Sequence, residues 1–539
     1  MTTVSKPFDH IDDTAGADEA WQDERHLSTV DAREMAESVL DRRDAPARSW
    51  ASTVMLAAPC LLFAISYLGG GIMPLNTLGM TILALVLAIL VIGEFVHFST
   101  RFGIGAIVVY GGVIIWMLYD YMYRYAFADS ATLPFGIWPI TKACVGVGLF
   151  ALCADLGMRI PWGRRFERRV LRILPEPESN NVIFGIAVAA FLFGISPYFL
   201  FTAEPFYMAM YNDFVGGYAG GAAWTVGRTG NVNYSFGGYI AQMMDVGTAG
   251  ALLAVCTVLM RRMGPIAKMA AFLMMAFWIL RGFGSGARGN VIYLVLPAMG
   301  FFFLRQHIVA AWKGRRFSPT AYGVLSVSLV AILLMIAYQG ALRGRGFRDM
   351  FTFNVSALDI QGNEMFSASL EGYTVIPDEV PYFYSNWPGE NIVRPAYDKT
   401  LDFVTGPIPR AIWRDKPIDP VWLWYNEVVM NEVMTGEGFS GTTISQSYPG
   451  HFFFRYGYPG VIEGALAFGF FAAMAERLLR ASRGRLLAVI LALGLATFLF
   501  RCYRDPSFQS IYPLFIGMTA ISLVCLPFAR RPYEVEPAS

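Results

Sequence analysis

The chain has 539 residues, of which 55% are hydrophobic and only 15% are charged, and its mean hydropathy is +0.45. An ordinary soluble domain has about 25% charged residues, so this chain lacks the polar surface that a soluble protein of its length needs. Its 42 basic and 41 acidic residues nearly cancel, which gives no argument for nucleic-acid binding. The composition therefore indicates a membrane protein with several spans.

The first 50 residues are polar, with twelve acidic and six basic residues and no apolar run. A cleavable signal peptide has a basic start followed by a short apolar core, and this segment has neither. We therefore expect residues 1–50 to be an acidic, disordered tail in the cytoplasm.

Apolar segments of about 17–25 residues repeat after this tail, which is the length that crosses a bilayer. Lipid offers the backbone no hydrogen-bond partners, so each such segment must be a helix. The sequence therefore predicts an all-α polytopic membrane protein. Its twelve predicted transmembrane helices lie at 51–68, 77–97, 104–126, 135–157, 181–201, 236–260, 266–284, 288–304, 319–339, 456–476, 486–503 and 508–528.

Basic residues indicate which side of the membrane each connection faces. If the N-terminus is cytoplasmic, the inner loops and the C-terminal tail (529–539) contain 20 Lys and Arg residues, whereas the short outer segments contain seven. This asymmetry predicts a multi-pass protein of a bacterial inner membrane with both termini in the cytoplasm.

Two of the predicted outer loops are long, at 202–235 and at 340–455. The second loop separates nine spans within 51–339 from three spans within 456–528. Connections this long usually carry function. We therefore expect the site in the large periplasmic loop 340–455.

The sequence contains little that could bind a metal. All six cysteines lie in apolar stretches and none forms a C-x-x-C pair, which excludes a disulfide scaffold and a zinc ribbon. Of five histidines, only His451 faces outward in this topology, and a catalytic zinc needs three His or carboxylate ligands. We expect neither a metal nor any other cofactor.

Arginines collect near the predicted outer ends of the spans and in the large loop, where the positive-inside rule disfavours them. The set comprises Arg288, Arg343, Arg345, Arg348, Arg410, Arg414, Arg455, Arg501 and Arg504. Because the planar guanidinium fork matches a phosphate, the set predicts a site for the diphosphate of a polyprenyl carrier at headgroup depth. For any single arginine, an ordinary lipid phosphate or a loop carboxylate is the alternative partner.

Five acidic residues fall inside predicted spans: Glu94, Asp120, Asp155, Asp245 and Glu463. Intramembrane carboxylates are functional candidates. The first three lie within about two turns of a helix end and can reach water. Asp245 and Glu463 lie deeper, and since the sequence shows no basic partner for them within the membrane, polar contacts between packed helices are the simpler interpretation.

Three short stretches in the second half of the chain form a recognisable set. Residues 406–417 read GPIPRAIWRDKP, residues 438–460 read GFSGTTISQSYPGHFFFRYGYPG, and residues 284–289 read GSGARG. The last stretch also matches G-x-G-x-x-G, but it lies between apolar helices and lacks the strand that a dinucleotide site requires. Together the three stretches resemble the O-antigen polymerase (oligosaccharide repeat-unit polymerase, Wzy-type) family over about residues 280–480.

The resemblance implies a metal-independent glycosyltransferase. A growing glycan would pass from undecaprenyl diphosphate to the end sugar of another lipid-linked repeat unit, and a flippase and a chain-length regulator would be partners. By motif position, the resemblance implies that Arg288, Arg410 and Lys416 bind the diphosphate or the sugars, and we expect Arg288 and Arg410 to be catalytic. The charge argument adds Arg343, Arg345, Arg414 and Arg455 as substrate-binding residues.

The resemblance does not identify the residue that acts as the general base. The family often has Glu where His451 stands. His451 either takes the proton of the acceptor hydroxyl or binds the acceptor.

Two other functions remain open. An O-antigen ligase, or another lipid-dependent glycosyltransferase, shares the lipid-diphosphate donor and uses a different acceptor. A transporter or flippase of lipid-linked sugars fits twelve spans, but not the long outer loop or the lack of a convincing duplicated half.

Overall fold

The computed structural model describes residues 49–96, 103–118, 121–122, 137–160, 163–175, 177, 179–200, 205–215, 234–261, 263–284, 288–312, 323, 434–435, 438–439, 447–482, 485–503 and 512–529. Nearly all of the predicted tail 1–50 and of the predicted ninth span 319–339 therefore lies outside the described residues. The same holds for most of the predicted outer loops 202–235 and 340–455.

The described part of the chain is almost entirely helical. Its α-helices are α1 (Ala51–Leu68), α2 (Met73–Val96), α3 (Ile104–Val113), α4 (Ile137–Gly157), α5 (Gly163–Ile173), α6 (Asn180–Ile195), α7 (Pro197–Leu200), α8 (Phe206–Val215), α9 (Tyr234–Met260), α10 (Pro265–Gly284), α11 (Arg288–Trp312), α12 (Tyr448–Ala481), α13 (Leu486–Cys502) and α14 (Tyr512–Cys525). A π-helical turn, Ile114–Leu118, continues α3. Two short strands, β1 (Met434–Thr435) and β2 (Gly438–Phe439), pair antiparallel.

Seven of the described helices are long and apolar enough to cross a membrane. They comprise α1, α2, α4, α6 continued by α7, α9, α10, and the part of α12 from Gly457 onward. Three more apolar helices, α3, α13 and α14, are shorter. The prediction of an all-α membrane protein is therefore confirmed. The number of twelve spans and the large outer loop stay predictions.

The helices pack around two apolar cores. The first core joins α1, α2, α3, α4 and α12, and contains the buried rings of Phe150 and Phe468. The second joins α6, α9, α10, α11 and α14. Helix α13 contributes to both, with Phe498 in the first core and Leu487 and Ile490 in the second. This helix therefore connects the two groups.

Contacts between helix termini define two ends of the bundle. At the near end, where α1 begins, the guanidinium of Arg159 after α4 lies 4.5 Å from the ring centre of Trp50. At the far end, where α1 ends and α4 begins, the Tyr458 hydroxyl donates to the Lys142 carbonyl at 3.2 Å. The near end corresponds to the predicted cytoplasmic side, and the far end to the predicted outer side.

A buried carboxylate holds the near end together. The Asp155 carboxylate accepts hydrogen bonds from Ser52 at 3.0 Å, Thr53 at 2.6 Å, Tyr110 at 2.5 Å and Arg159 at 3.0 Å. Its side chain is fully buried. The expectation that Asp155 reaches water is therefore wrong, because donors from α1, α3 and the turn after α4 replace the water.

Glycines bring the backbones of α3, α4 and α12 into direct contact. A Cβ atom at Gly157 would overlap the backbone of Leu466, and a Cβ at Gly469 would overlap that of Ala154. Gly105 of α3 meets the backbone of α12 in the same way. Such small-residue contacts are typical of helix packing in membranes, where close approach replaces the hydrophobic effect as the source of stability.

Candidate functional site at the far end of the bundle

Helix α12 begins with a segment that folds back on the span. It is interrupted at Gly457, whose φ of +65° and ψ of −150° suit only glycine. Before this break, the Tyr448 hydroxyl donates to the Gly464 carbonyl at 3.1 Å, and the Phe452 ring packs on the same glycine. Gly464 lies about 10 Å along the helix from Gly457. The folded-back segment, residues 448–456, therefore begins well below the break.

His451 lies in the first turn of this segment. The Ser447 hydroxyl caps the helix by accepting from the Gly450 N–H at 3.1 Å, and the His451 N–H donates to the Ser447 carbonyl at 2.9 Å. Pro449 fits the first turn because its missing N–H is not needed there. The His451 residue is only 4% exposed. Any ligand must therefore enter the bundle to reach the imidazole.

The folded-back segment is joined to the far end of α13. The Tyr448 N–H donates to the Tyr503 carbonyl at 3.1 Å, and the Tyr503 hydroxyl donates to the Val109 carbonyl of α3 at 2.7 Å. Gly112 of α3 leaves room for the Tyr503 ring, because a Cβ there would overlap it. Arg501 lies two residues before Tyr503. The chain around His451 and the end of α13 that carries Arg501 are thus held together.

Arg501 lies in the last turn of α13, at the far end of this helix, and its side chain is half-buried. The Arg501 guanidinium carbon lies 5.0 Å from the centre of the Tyr293 ring of α11. This contact is a cation–π interaction, which strengthens when water is excluded.

Arg501 belongs to a charged cluster of three residues from three helices: Asp245 of α9, Arg281 of α10 and Arg501 of α13. Both arginines interact electrostatically with Asp245. The Arg281 Nε donates to the Tyr198 hydroxyl of α7 at 3.0 Å, and its guanidinium lies 5.4 Å from the Trp278 ring centre. With the carboxylate ionised, the cluster has a net charge of +1.

Close packing between α6 and α9 fixes the position of Asp245. A Cβ atom at Gly194 of α6 would lie 2.7 Å from the Gly247 nitrogen of α9. One turn further, a Cβ at Gly250 would lie 2.8 Å from the Ala187 carbonyl oxygen. Because the two helices touch along their backbones, they cannot slide without losing this contact. Asp245, two residues before Gly247, is therefore held in place near the two arginines.

The cluster has the chemistry of an anion site. Two guanidinium groups present planar forks of N–H donors, which match phosphate oxygens. When the Asp245 carboxylate is ionised it balances one of the two positive charges, and the other is left to attract an anion. All three residues are half-buried, and partial exclusion of water strengthens each electrostatic contact with a bound group.

Comparisons with known proteins give no match. No family model, no curated protein and no solved structure matches this chain.

Few of the site residues predicted from sequence can be placed. Arg288 is the first residue of α11, five residues before Tyr293, and Arg455 lies in the folded-back segment. The other predicted residues, Arg343, Arg345, Arg410, Arg414 and Lys416, lie outside the described residues. Among the predicted site residues, only His451 has a side chain within the described part of the chain. The roles predicted for all these residues stay predictions.

The structure adds Asp245, Arg281 and Arg501 as one cluster. The sequence favoured simple polar contacts between packed helices for Asp245, and the structure adds an electrostatic interaction with Arg281 and Arg501 of two other helices. Glu463, grouped with Asp245 in the sequence, is instead exposed on α12. The sequence showed an acid within a predicted span and arginines at predicted outer helix ends. It could not show that they interact, because this depends on the packing of α9, α10 and α13.

The described residues contain no group of three or more His, Cys, Asp and Glu side chains placed to hold a metal ion. The expectation of a metal-independent reaction stays a prediction.

Proposed function

We propose that the protein is a polysaccharide polymerase, which transfers a growing glycan from polyprenyl diphosphate to a lipid-linked repeat unit. The observation that carries this proposal is the electrostatic interaction of Arg281 and Arg501 with Asp245, at the same end of the bundle as His451 and the start of α11 at Arg288. Two arginines at this end suit the diphosphate of a donor whose lipid tail lies in the bilayer. The sequence resemblance at 284–289, 406–417 and 438–460 supplies the reaction class.

The proposed reaction is a displacement at the anomeric carbon of the donor glycan. The bond from this carbon to the diphosphate oxygen breaks, and its electron pair leaves with the lipid diphosphate. A new bond forms from the same carbon to an acceptor hydroxyl oxygen, whose proton passes to His451. Arginines neutralise the charge that develops on the leaving group, and one such donor typically contributes about 10²–10³ in rate.

The proposal includes an orientation in the membrane. The far end faces the periplasm, both termini lie in the cytoplasm, and twelve spans cross a bacterial inner membrane. In this proposal the large loop 340–455 connects spans nine and ten, and its residues Arg343, Arg345, Arg410, Arg414 and Lys416 bind the substrate. A flippase supplies the lipid-linked units, and a chain-length regulator acts on the product.

The proposal is tested by deleting the gene and measuring which lipid-linked glycans accumulate. Mass spectrometry gives their size, and each glycan is assigned to the inner or the outer leaflet. Single repeat units on the outer leaflet support the polymerase. Finished polymer that stays on its lipid carrier identifies a ligase and overturns the proposed acceptor. Single units trapped on the inner leaflet identify a flippase and overturn the proposed reaction.

A further inference from the structure

Helix α5 is the most basic element of the described chain. Its sequence, GRRFERRVLRI, contains five arginines and one glutamate in eleven residues. It follows the span α4, which ends at Gly157, and precedes the span α6, which begins at Asn180. A helix between two spans that cross a bilayer lies at the membrane surface, here at the near end.

The two faces of α5 differ in chemistry. One face packs on the bundle through Val170 and Leu171, and its buried Glu167 pairs with Arg477 of α12 at 2.9 Å. The helical repeat places residues 165, 168, 169 and 172 together on the opposite face. All four are arginines, and Arg169 and Arg172 are exposed. The single acid of the helix thus faces inward, whereas Arg169 and Arg172 are exposed on the outer face.

The bundle fixes the orientation of this face. Arg485, just before α13, donates to the carbonyls of Leu171, at 2.6 Å, and Leu174 at the C-terminal end of α5. Arg477 also donates to the Ile160 carbonyl, just before α5, at 3.2 Å. Because Glu167 in the middle of α5 and the carbonyls at its C-terminal end are bonded to the bundle, the helix cannot turn about its own axis.

We propose that the outer face of α5 binds the phosphate groups of anionic phospholipids in the near-end leaflet. Charge complementarity selects this occupant, because a row of arginines along a bilayer surface attracts lipids with a net negative charge over zwitterionic ones. Since α5 is bonded to α12 and α13, bound lipid also stabilises the near ends of the two helices that carry His451 and Arg501 at the far end. The proposal is independent of the reaction catalysed there.

The experiment uses the purified full chain in detergent, with phosphatidylglycerol or phosphatidylcholine of the same acyl chains added. The readouts are the lipids retained in native mass spectrometry and the midpoint of thermal unfolding. Wild type retains phosphatidylglycerol several-fold over phosphatidylcholine, and its midpoint rises more with the anionic lipid. The R169Q/R172Q variant loses most of both differences.

Two variants serve as controls. R169K/R172K keeps the positive charge and therefore keeps the preference. K268Q removes one exposed charge at the start of α10, away from α5, and also keeps it. Equal retention of the two lipids by wild type, or an unchanged preference in R169Q/R172Q, overturns the proposal. A midpoint rise of the same size with inorganic phosphate alone also overturns it, because the site would then be one for free anions.

Discussion

The backbone N–H of Tyr448 donates to the carbonyl oxygen of Tyr503 at 3.1 Å, and this bond joins the start of α12 to the end of α13. Tyr448 lies one helical turn before His451, and Tyr503 lies two residues after Arg501. A candidate proton acceptor and a candidate phosphate ligand, far apart in the sequence, are thereby fixed at one end of the bundle. The following predictions test whether they act in one site.

Removal of either arginine of the charged cluster tests the proposed diphosphate site. We expect Arg281→Ala and Arg501→Ala each to slow chain growth by about 10²–10³, because each removes a fixed donor to the leaving group. The measurement is the length distribution of the polymer in cells with equal amounts of the membrane protein. Lys268→Ala, an exposed charge at the near end, is the control and leaves the distribution unchanged.

The arginines that the sequence motifs single out make a second test. We expect Arg288→Ala and Arg410→Ala to abolish chain growth without loss of the protein from the membrane. Gel analysis of the polymer, together with a membrane immunoblot, measures both quantities. Chains of wild-type length in both variants would remove these residues from the site.

Neutralisation of Asp245 tests the charge balance of the cluster. Asp245→Asn keeps the shape but leaves two half-buried arginines without their acid, and we expect a loss of stability. Thermal unfolding in detergent measures the loss. The D245N/R281Q variant has the same net charge at the cluster as wild type, so its loss is expected to be smaller than the sum of the two single losses. Strict additivity would contradict the electrostatic contact.

Two glycines of α6 form a matched pair. Gly194 touches the backbone of α9, whereas a Cβ at Gly185 would meet no atom within 4 Å. We expect Gly194→Ala to destabilise the protein because α6 and α9 must move apart, and to weaken chain growth because Asp245 moves with α9. Gly185→Ala is expected to be neutral or to stabilise by about 0.5–1 kcal/mol. Equal unfolding midpoints in the two variants would show that the close contact is unimportant.

The role of His451 can be read from a pH profile. If its imidazole takes the proton of the acceptor, the rate falls on the acidic side as the ring becomes protonated. We expect His451→Gln to lower the rate and to remove this acidic limb, as measured by polymer synthesis in isolated membranes. A variant with a raised KM for the acceptor and an unchanged acidic limb would instead assign His451 to acceptor binding.

The sequence predicted the apolar helices better than the site. The span at 51–68 has the bounds of α1, because a polar tail and a Gly-Gly turn delimit it. The predicted entry to a span at 456 lies next to the break at Gly457, because glycine and proline mark such breaks. The fold-back of residues 448–456 and the partners of Asp245 depend on contacts between distant helices, which hydropathy does not encode.

The glycine contacts along α12 also bear on how the protein can move. Gly157 and Gly469 interlock the backbones of α4 and α12, and α13 belongs to both apolar cores. A rocking motion of one half of the bundle against the other would leave the α4–α12 contacts intact, because both helices belong to the first core, but it would have to shear α13. Under the proposed function, the position of α13 in both cores favours a stationary frame, to which lipid-linked substrates diffuse within the plane of the membrane, over a transporter that alternates between two orientations.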